Sequence, residues 1–466
     1  MSSPAAPVTA APSVSLVFPS GMLGSGISAE MVSRGVRLGA DAIAIDAGST
    51  DSGPYYLGAG ESKSSAAAVK RDLRILLIAA TGAGIPLVVG SCGTSGTDAG
   101  VDWTAQLCRQ IAEEERLGFT LARIYSELSR ERVLERLAAR RVTPLAPSGP
   151  LDPGTVNGCT HIVGVMGHEP IADALRQGAD VVLAGRATDT SLVAAVALMR
   201  GLPPGPSWHA AKTVECGDQC TTSPRGGGVY VTIDQSGFQV EPLDPAAACT
   251  PTSVAAHMLY ENADPYRLTE PSGTLDTSAA TYTAVDGRVV RVRGSRFDTA
   301  AVPTIKLEGS GIAGYETASF VAIVDPDVLN RMDEWTQTLL TRLHGRVADL
   351  LGLAADKYAI QVRCYGRDAV LGALAAAGRC PPAEVGVLML VRAPDQATAT
   401  AIAKTANPLL LHLPLAGMTS LPSYAFATSP AETERGAAYE FRLNHVVQVD
   451  TPTELFRTTI TEVTDA

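Results

Sequence analysis

The sequence predicts an α/β protein whose N-terminal domain is built on a parallel sheet. Short apolar runs, typical of buried strands, alternate with helical patterns up to about residue 185. From about residue 212, hairpin signals replace this alternation. Beyond about residue 317 the order becomes strand, helix, strand, strand, helix, strand, which is typical of a ferredoxin-like α+β domain.

The N-terminal elements follow one another closely. Strands are predicted at residues 14–18, 41–46, 85–89, 119–125, 160–166 and 180–184. Helices are predicted at residues 28–38, 66–80, 104–115 and 129–140, with a further helix that ends at Gly178. Such alternation predicts βαβ units, in which ligands bind beyond the carboxyl ends of the strands. The loops after these strands are therefore the candidate site.

The second half is predicted to add hairpins and another domain. The hairpins pair residues 228–233 with 238–241 and residues 281–285 with 288–292. The C-terminal elements are a strand at 319–324, a helix at 327–351, strands at 358–365 and 385–392, a helix at 396–410 and a strand at 439–449. We accordingly expect a disordered leader (1–13), an α/β domain with a strand-end pocket (14–211), a hairpin segment completing the core (212–316) and a ferredoxin-like domain (317–466).

Composition narrows the class of partner. A net charge of −11 argues against a nucleic-acid surface. The sequence contains no apolar run of membrane-spanning length, and its Ala/Pro/Ser-rich start lacks the pattern of a signal peptide. Eight scattered cysteines fit reduced thiols. We therefore expect a cytoplasmic protein that binds a small molecule, with no nucleic-acid or membrane partner, and a homo-oligomer because that state is common.

The first candidate loop follows the strand at residues 41–46. It holds Ser49, Thr50, Asp51 and Tyr55, a concentration of hydroxyl and carboxylate groups at a strand end. We assign Ser49 and Thr50 to substrate binding, and Asp51 and Tyr55 to proton transfer. A turn rich in Asp, Ser and Gly for conformational reasons is the alternative.

The second candidate loop is the glycine-rich run at residues 90–96. Its spacing fits neither the Walker pattern nor the dinucleotide fingerprint. Backbone N–H groups of such a loop can converge on a carboxylate or phosphate, so Ser91, Cys92, Gly93 and Thr94 are assigned to substrate binding. Cys92 is either a nucleophile or, more commonly for a cysteine, a structural thiol.

Three further segments supply charged candidates. Arg186 can hold a carboxylate through paired hydrogen bonds, and Asp189 is either a base or a helix cap. His168 is a general acid or base, or a polar loop residue. Glu215 lies between apolar neighbours, where burial would raise its pKa for proton transfer, or it forms a structural salt bridge.

The sequence assigns no metal ligands and no cofactor. Cys216 and Cys220 have a spacing that some metal sites use, but no second pair accompanies them. A requirement for a divalent metal stays open at this point.

Four motifs together resemble the AtuA family of acyclic-terpene-utilisation proteins. They are the run Gly-Ala-Asp-Val-Val-Leu-Ala-Gly-Arg-Ala-Thr-Asp at 178–189, Val-Glu-Cys-Gly-Asp-Gln at 214–219, Leu-Tyr-Glu-Asn-Ala-Asp-Pro-Tyr at 259–266 and the turn at 90–96. The resemblance runs from about residue 14 to about residue 324, and the C-terminal pattern is similar to a domain that accompanies this family. It implies a role in catabolism. The loop at 49–56 and the pair Ser91–Cys92 differ from the terpene-type pattern, which predicts a divergent subfamily with another substrate.

The combined prediction is a catabolic enzyme that applies acid–base chemistry to a small carboxylate or acyl thioester. A lyase, hydratase or isomerase fits best, because carboxylates, a histidine and an anion-binding loop suffice for proton abstraction next to a carbonyl. One alternative is a non-catalytic ligand-binding subunit of a multi-protein catabolic complex. The other is a hydrolase or acyl transferase that uses Cys92 as its nucleophile.

Overall fold

The computed structural model describes residues 12–375 and 382–464 of the chain. The predicted leader therefore lies outside the described residues, apart from its last two positions, and Ser13 already begins the first strand. The chain divides into two compact units. Unit 1 comprises residues up to Gly311 together with those from Phe441 onward, and unit 2 is Ile312–Glu440. The four-part division expected from the sequence stays a prediction.

The strands of the described residues are numbered in chain order: β1 Ser13–Phe18, β2 Ala42–Asp46, β3 Leu87–Gly90, β4 Phe119–Tyr125, β5 Val142–Pro144, β6 His161–Val165, β7 Val181–Ala184, β8 Val229–Asp234, β9 Gly237–Pro242, β10 Arg267–Glu270, β11 Gly273–Asp276, β12 Thr281–Ala284, β13 Val290–Arg293, β14 Arg296–Thr299, β15 Thr304–Ile323, β16 Ala359–Tyr365, β17 Val385–Ala393, β18 Ala425–Phe426, β19 Glu432–Gln448 and β20 Arg457–Val463.

The helices of the described residues are α1 Ala29–Arg37, α2 Pro54–Ala59, α3 Ala66–Ala83, α4 Asp98–Glu115, α5 Arg130–Ala138, α6 Pro153–Asn157, α7 Glu169–Arg176, α8 Asp189–Met199, α9 Pro204–Val214, α10 Pro251–His257, α11 Pro326–Leu329, α12 Met332–Leu351 and α13 Gln396–His412. None of these described helices combines the length and the apolar character that a membrane crossing needs.

The mixed α/β class predicted from the sequence is confirmed, including its parallel sheet. Strands β1, β2, β3, β7 and β4 lie side by side in that order and run parallel. Most of their residues are buried apolar side chains on both faces, as expected for strands covered by helices on two sides. The two predicted hairpins form as β8–β9 and β12–β13, and they extend this sheet beyond β1 with antiparallel strands.

One predicted N-terminal strand joins another sheet. Strand β6 pairs antiparallel with β15, with Lys306 opposite Val165. The free edge of β4 is taken by β20, which pairs with it antiparallel over its full length. The pairing with β15 places Lys306 and Glu308 beside the loops that follow the parallel strands.

The strands and α-helices of unit 2 follow in the order β15, α11, α12, β16, β17, α13, β18, β19, with the sheet order β16–β17–β15–β19. The buried side of α12 carries Trp335, Leu339, Leu343 and Val347 at four-residue intervals, which places them on one face of the helix. The helix predicted at 327–351 is divided into α11 and α12, because the chain leaves the helical conformation between Leu329 and Met332.

Helices α8 and α9 are buried along almost their whole length in unit 1. Every residue from Thr190 to Ala197 and from Gly205 to Val214 is buried. Small side chains dominate both helices and allow close packing on all sides. A helix that is buried all round has no amphipathic pattern, and its ends can carry polar groups into an otherwise apolar interior.

Candidate functional site

Two adjoining cavities lie in unit 1 near the carboxyl ends of β2 and β7. Cleft A has a volume of about 440 Å³ and cleft B of about 510 Å³. Both clefts are lined by Ser49, Asp51, Asp189 and Glu261. Cleft A is lined in addition by Arg186, Thr190, Lys212, Glu215, Arg267, Glu270, Lys306 and Glu308. Cleft B is lined in addition by Asp46, Lys63, Cys216, Asp218 and Tyr260.

Arg186 is held at the wall of cleft A by an internal carboxylate. Its Nε donates to Oε2 of Glu308 at 3.0 Å, and its Nη1 donates to Oγ of Ser91 at 3.2 Å and to the Ala187 carbonyl at 3.0 Å. Burial alone would raise the pKa of Glu308, but Arg186 and Lys306 together lower it to about 2. Arg186 is thus largely committed to Glu308, and only the remaining edge of its guanidinium is left for a substrate.

Two carboxyl groups in cleft A titrate near neutral pH. Asp189 is the first residue of α8, and burial raises its pKa to about 6 although Arg186 opposes the rise. Glu270 accepts a hydrogen bond from Oγ1 of Thr190 at 2.9 Å, and burial raises its pKa to about 7. Carboxyl groups with pKa values raised toward neutral pH can serve as base and acid in the same cleft.

The C-terminal end of α9 brings a buried ion pair to cleft A. Lys212 and Glu215 are only 7% and 5% exposed, and Nζ of Lys212 contacts Oε1 of Glu215. Their spacing of three residues places them on the same side of the helix end. Burial raises the pKa of Glu215, and the Lys212 ammonium limits that rise. The sequence left two interpretations of Glu215 open, a buried proton-transfer group and a structural salt bridge. In the structure Glu215 is both buried and in a salt bridge with Lys212.

The loop after β2 has one exposed and one buried part. Ser49 Oγ donates to Asp51 at 2.7 Å, and both residues line clefts A and B. Thr50 is buried and its hydroxyl donates to Glu308 at 3.1 Å. Tyr55 lies on α2, where its hydroxyl donates to Glu61 at 3.3 Å, and it is not among the residues that line either cleft.

The glycine-rich turn after β3 is packed inside the protein. Ser91 and Cys92 donate their N–H groups to the carbonyls of Gly185 and Ala184 at 3.0 Å each, and Gly96 donates to the Cys92 carbonyl at 3.2 Å. These three N–H groups are therefore not available to an anion. Gly93 and Thr94 both have positive φ, and a Cβ on Gly93 would lie 2.4 Å from Cα of Gly100. The glycines serve close packing between loops.

Cys92 is fully buried in this turn. Burial raises the pKa of its thiol well above the ordinary value, and its Sγ lies 3.7 Å from the Val89 carbonyl. A buried, protonated thiol is a poor nucleophile. The geometry therefore gives no support to a hydrolase or acyl transferase that acts through Cys92.

His168 lies at the start of α7, outside the lining of clefts A and B. Its ring packs edge-on against Trp208, with 5.6 Å between the ring centroids. Burial lowers the pKa of His168 to about 4, so the ring is neutral at pH 7. This position favours the interpretation of His168 as a packed residue over that of a catalytic acid.

Several cleft residues were not assigned from the sequence. Lys212 lies three residues before Glu215, but this spacing became informative only once the structure showed α9. Glu308, Lys306 and Glu270 had no local signal, because tertiary packing alone brings them to cleft A. The same holds for His257, which lies near Glu215 and Cys216. Cys216 and Cys220 do not meet as a pair of ligands: Cys220 lies against Cys249, whereas Cys216 lies near Glu215 and His257.

The fold and these clefts define an α/β protein with a parallel sheet and a polar, partly buried site at the ends of its strands. The sequence model described as acyclic terpene utilisation family protein AtuA matches residues 62–440. The chain belongs to this family, and membership suggests a role in acyclic terpene utilisation. No curated protein matches the chain, and no solved structure does.

The family match confirms the predicted resemblance and changes its limits. The resemblance was placed at residues 14–324, but the match begins at residue 62 and continues through unit 2 to residue 440. Unit 2 therefore belongs to the family pattern itself and is more than a domain that accompanies it.

Proposed function

We propose that this chain is a catabolic enzyme that moves protons on a small carboxylate or acyl thioester bound in cleft A. The observation that carries the proposal is the pair of carboxyl groups, Asp189 and Glu270, with pKa values of about 6 and 7 in one cleft. Raised pKa values of this kind are expected where a carboxyl group must accept and return a proton at neutral pH. A lyase, hydratase or isomerase reaction needs such a pair.

The second part of the proposal is that the cations lining cleft A bind the substrate. Lys212 is buried, and Lys306 and Arg267 are 43% and 58% exposed at their side chains. Each of these cations already has a carboxylate partner, so a substrate anion would bind to the donor groups of Lys306, Arg267 and Arg186 that those partners leave open. A substrate carboxylate held there, or the carbonyl of a thioester, would place its neighbouring C–H bond within the same small cleft as the two carboxyl groups.

Hydrogen exchange tests this proposal even when the product of the reaction is unknown. The purified chain is incubated in D₂O with a panel of small carboxylates and acyl thioesters, and deuterium incorporation next to the carbonyl is followed by mass spectrometry. We expect exchange into one class of compound, lowered by about 100-fold or more in Asp189→Asn and Glu270→Gln because proton transfer is lost. Asp173→Asn, which changes an exposed carboxylate on α7, is the matched control and leaves exchange unchanged.

Ligand binding is measured on the same proteins by thermal shift. If a ligand stabilises the wild-type chain but no hydrogen exchange is detected, the enzyme proposal is contradicted. That result would support the alternative of a non-catalytic subunit. Exchange that persists at the wild-type rate in both variants would exclude Asp189 and Glu270 as the proton-transfer groups.

A further inference from the structure

Three side chains with metal-binding atoms meet beside the clefts. Glu215 and Cys216 follow the end of α9, and His257 is the last residue of α10. One ligand-type atom of each lies within 4.8 Å of the other two. We call this group the Glu–Cys–His cluster. The contact between the end of α10 and the 3-10 turn Gly217–Cys220 holds the two chain segments together.

The imidazole of His257 provides a second, independent observation that points to a ligand at the cluster. His257 is only 5% exposed, and its Nε2 is buried without a hydrogen-bond partner among the described residues. Buried polar atoms are almost always hydrogen-bonded or bound to a metal, so an unpartnered ring nitrogen beside a carboxylate and a thiol calls for a ligand.

We propose that the Glu–Cys–His cluster binds a divalent transition-metal ion of the zinc or cobalt type. A carboxylate, a thiolate and an imidazole suit borderline-soft ions, whereas calcium and magnesium prefer oxygen ligands alone. Three protein ligands leave a fourth tetrahedral position open, which is the pattern of a site that also admits water or a substrate. Bonds of about 2.0 to 2.3 Å require the three atoms to approach one another by about 1 Å, within reach of side-chain rotation.

The surrounding charges are compatible with a cation in this position. Lys212 contacts only Oε1 of Glu215, which leaves Oε2 for the ion. Asp189 and Glu270 act electrostatically on Glu215, and Asp189 and Glu261 act on Cys216, so carboxylates as well as the Lys212 ammonium face the cluster. An entry path exists as well, because Glu215 lines cleft A and Cys216 lines cleft B.

This inference goes beyond the proposed function and does not rest on it. Proton transfer by Asp189 and Glu270 needs no metal, and metal binding can be measured when no substrate is known. A bound ion would polarise a carbonyl oxygen that enters the cleft. The residues that hold the ion are the Glu–Cys–His cluster, and the residues that move the proton are Asp189 and Glu270.

Cobalt(II) titration of the full-length, chelator-treated protein tests the site. We expect one equivalent to bind and to give a near-ultraviolet band of thiolate-to-cobalt charge transfer together with visible bands of tetrahedral cobalt, both removed by zinc. Cys216→Ser should abolish the charge-transfer band, and His257→Gln and Glu215→Gln should weaken cobalt binding by at least about 10-fold. Cys364→Ser and His412→Gln, in unit 2, are the matched controls and keep the wild-type titration.

Circular dichroism and the melting temperature of each variant without metal show whether it is folded. The proposal is overturned if folded wild-type protein binds neither cobalt nor zinc at micromolar concentration. It is also overturned if the charge-transfer band survives in Cys216→Ser, or if it is lost in Cys364→Ser instead, since the thiolate would then come from another cysteine. Exchange activity without metal binding would leave the proposed function standing and remove only the metal site.

Discussion

Two neighbouring strands of the parallel sheet, β3 and β7, end in loops that were both predicted to bind substrate but that differ in use. The loop after β3, residues 91–97, turns its N–H groups and its thiol inward. The loop after β7, residues 185–188, turns Arg186 toward cleft A. The two loops touch: a Cβ on Gly96 would lie 2.0 Å from the backbone nitrogen of Arg186. The first loop therefore supports the second, and only the second borders the ligand space.

This difference shows what a glycine-rich loop does and does not reveal. Glycine allows the backbone to approach a neighbouring group closely, but that group can be a ligand or another loop. Here the partner of Gly96 is the loop that carries Arg186. The following three predictions test this division between a supporting loop and a cleft-forming loop.

The largest effect is expected from Arg186→Met. Removal of the guanidinium leaves Glu308 buried with only Lys306 as a charged partner, and loss of one member of a buried pair costs about 3 to 5 kcal/mol. Urea unfolding at pH 7 measures this loss. Arg176→Met, at an exposed pair on α7, is the control and should change the free energy of unfolding by less than about 1 kcal/mol.

The pH dependence of the Arg186→Met effect tests whether the loss of stability comes from the Arg186–Glu308 pair. The pKa of Glu308 is lowered to about 2 in the folded protein, so its stabilising contribution is complete above the pKa of the unfolded chain, about 4.3, and is lost as the pH falls toward 2. The difference between wild type and variant should therefore shrink as the pH falls below about 5, where Glu308 becomes protonated. A difference that grows on acidification would exclude the pair as its cause.

The second-largest effect is the difference in stability between two glycine-to-alanine substitutions, at Gly96 and at Gly178. Gly96 and Gly178 both have positive φ, but a Cβ meets the Arg186 backbone at Gly96 and open space at Gly178. Gly178→Ala should cost about 1 to 2 kcal/mol for the left-handed conformation alone. Gly96→Ala should cost about 1 to 3 kcal/mol more because the two loops must move apart. Equal losses in denaturant unfolding would mean that the loops are not tightly packed.

The smallest effect concerns the hydrogen bond between the loops. Ser91 Oγ accepts from Nη1 of Arg186, and a hydrogen bond to a charged group contributes about 1.5 to 3 kcal/mol. Ser91→Ala should lose up to that amount in the wild-type chain and much less in the Arg186→Met background. A double-mutant cycle of unfolding free energies measures this coupling, and additive losses would show that the two side chains act independently.

Much of the fold could be predicted because its signals are local. The runs that became β2, β3 and β7 are short and apolar, and the Asp-Gly turn marked the β12–β13 hairpin. Helix α9 was missed because it is buried on all sides and has no polar face to produce a period. The pairing of β20 with β4 was missed because it joins residues that are far apart in the chain.

The candidate site, like the fold, could be predicted from the sequence only in part. Asp51, Arg186 and Asp189 follow predicted strands and do line cleft A. Glu215 lines it as well, but it follows α9, which was not predicted. Burial raises the pKa values of Asp189 and Glu215, and charged neighbours change them as well. The neighbours of Glu215 include Lys212 and Glu270, which come from α9 and β10. Residue type and spacing can therefore identify strand-end groups, but they cannot say which of them share a space.

The return of the chain to its first sheet has a consequence for synthesis. Strand β20 closes the edge of β4 only after the ribosome has made all of unit 2, because residues 312–440 lie between the two parts of unit 1 in the chain. Until then the backbone groups of β4 on that side have no partner strand, and an exposed strand edge invites pairing with other chains. The nascent protein therefore keeps this open edge until β20 is available, and a chain cut short before β20 would keep it for its lifetime.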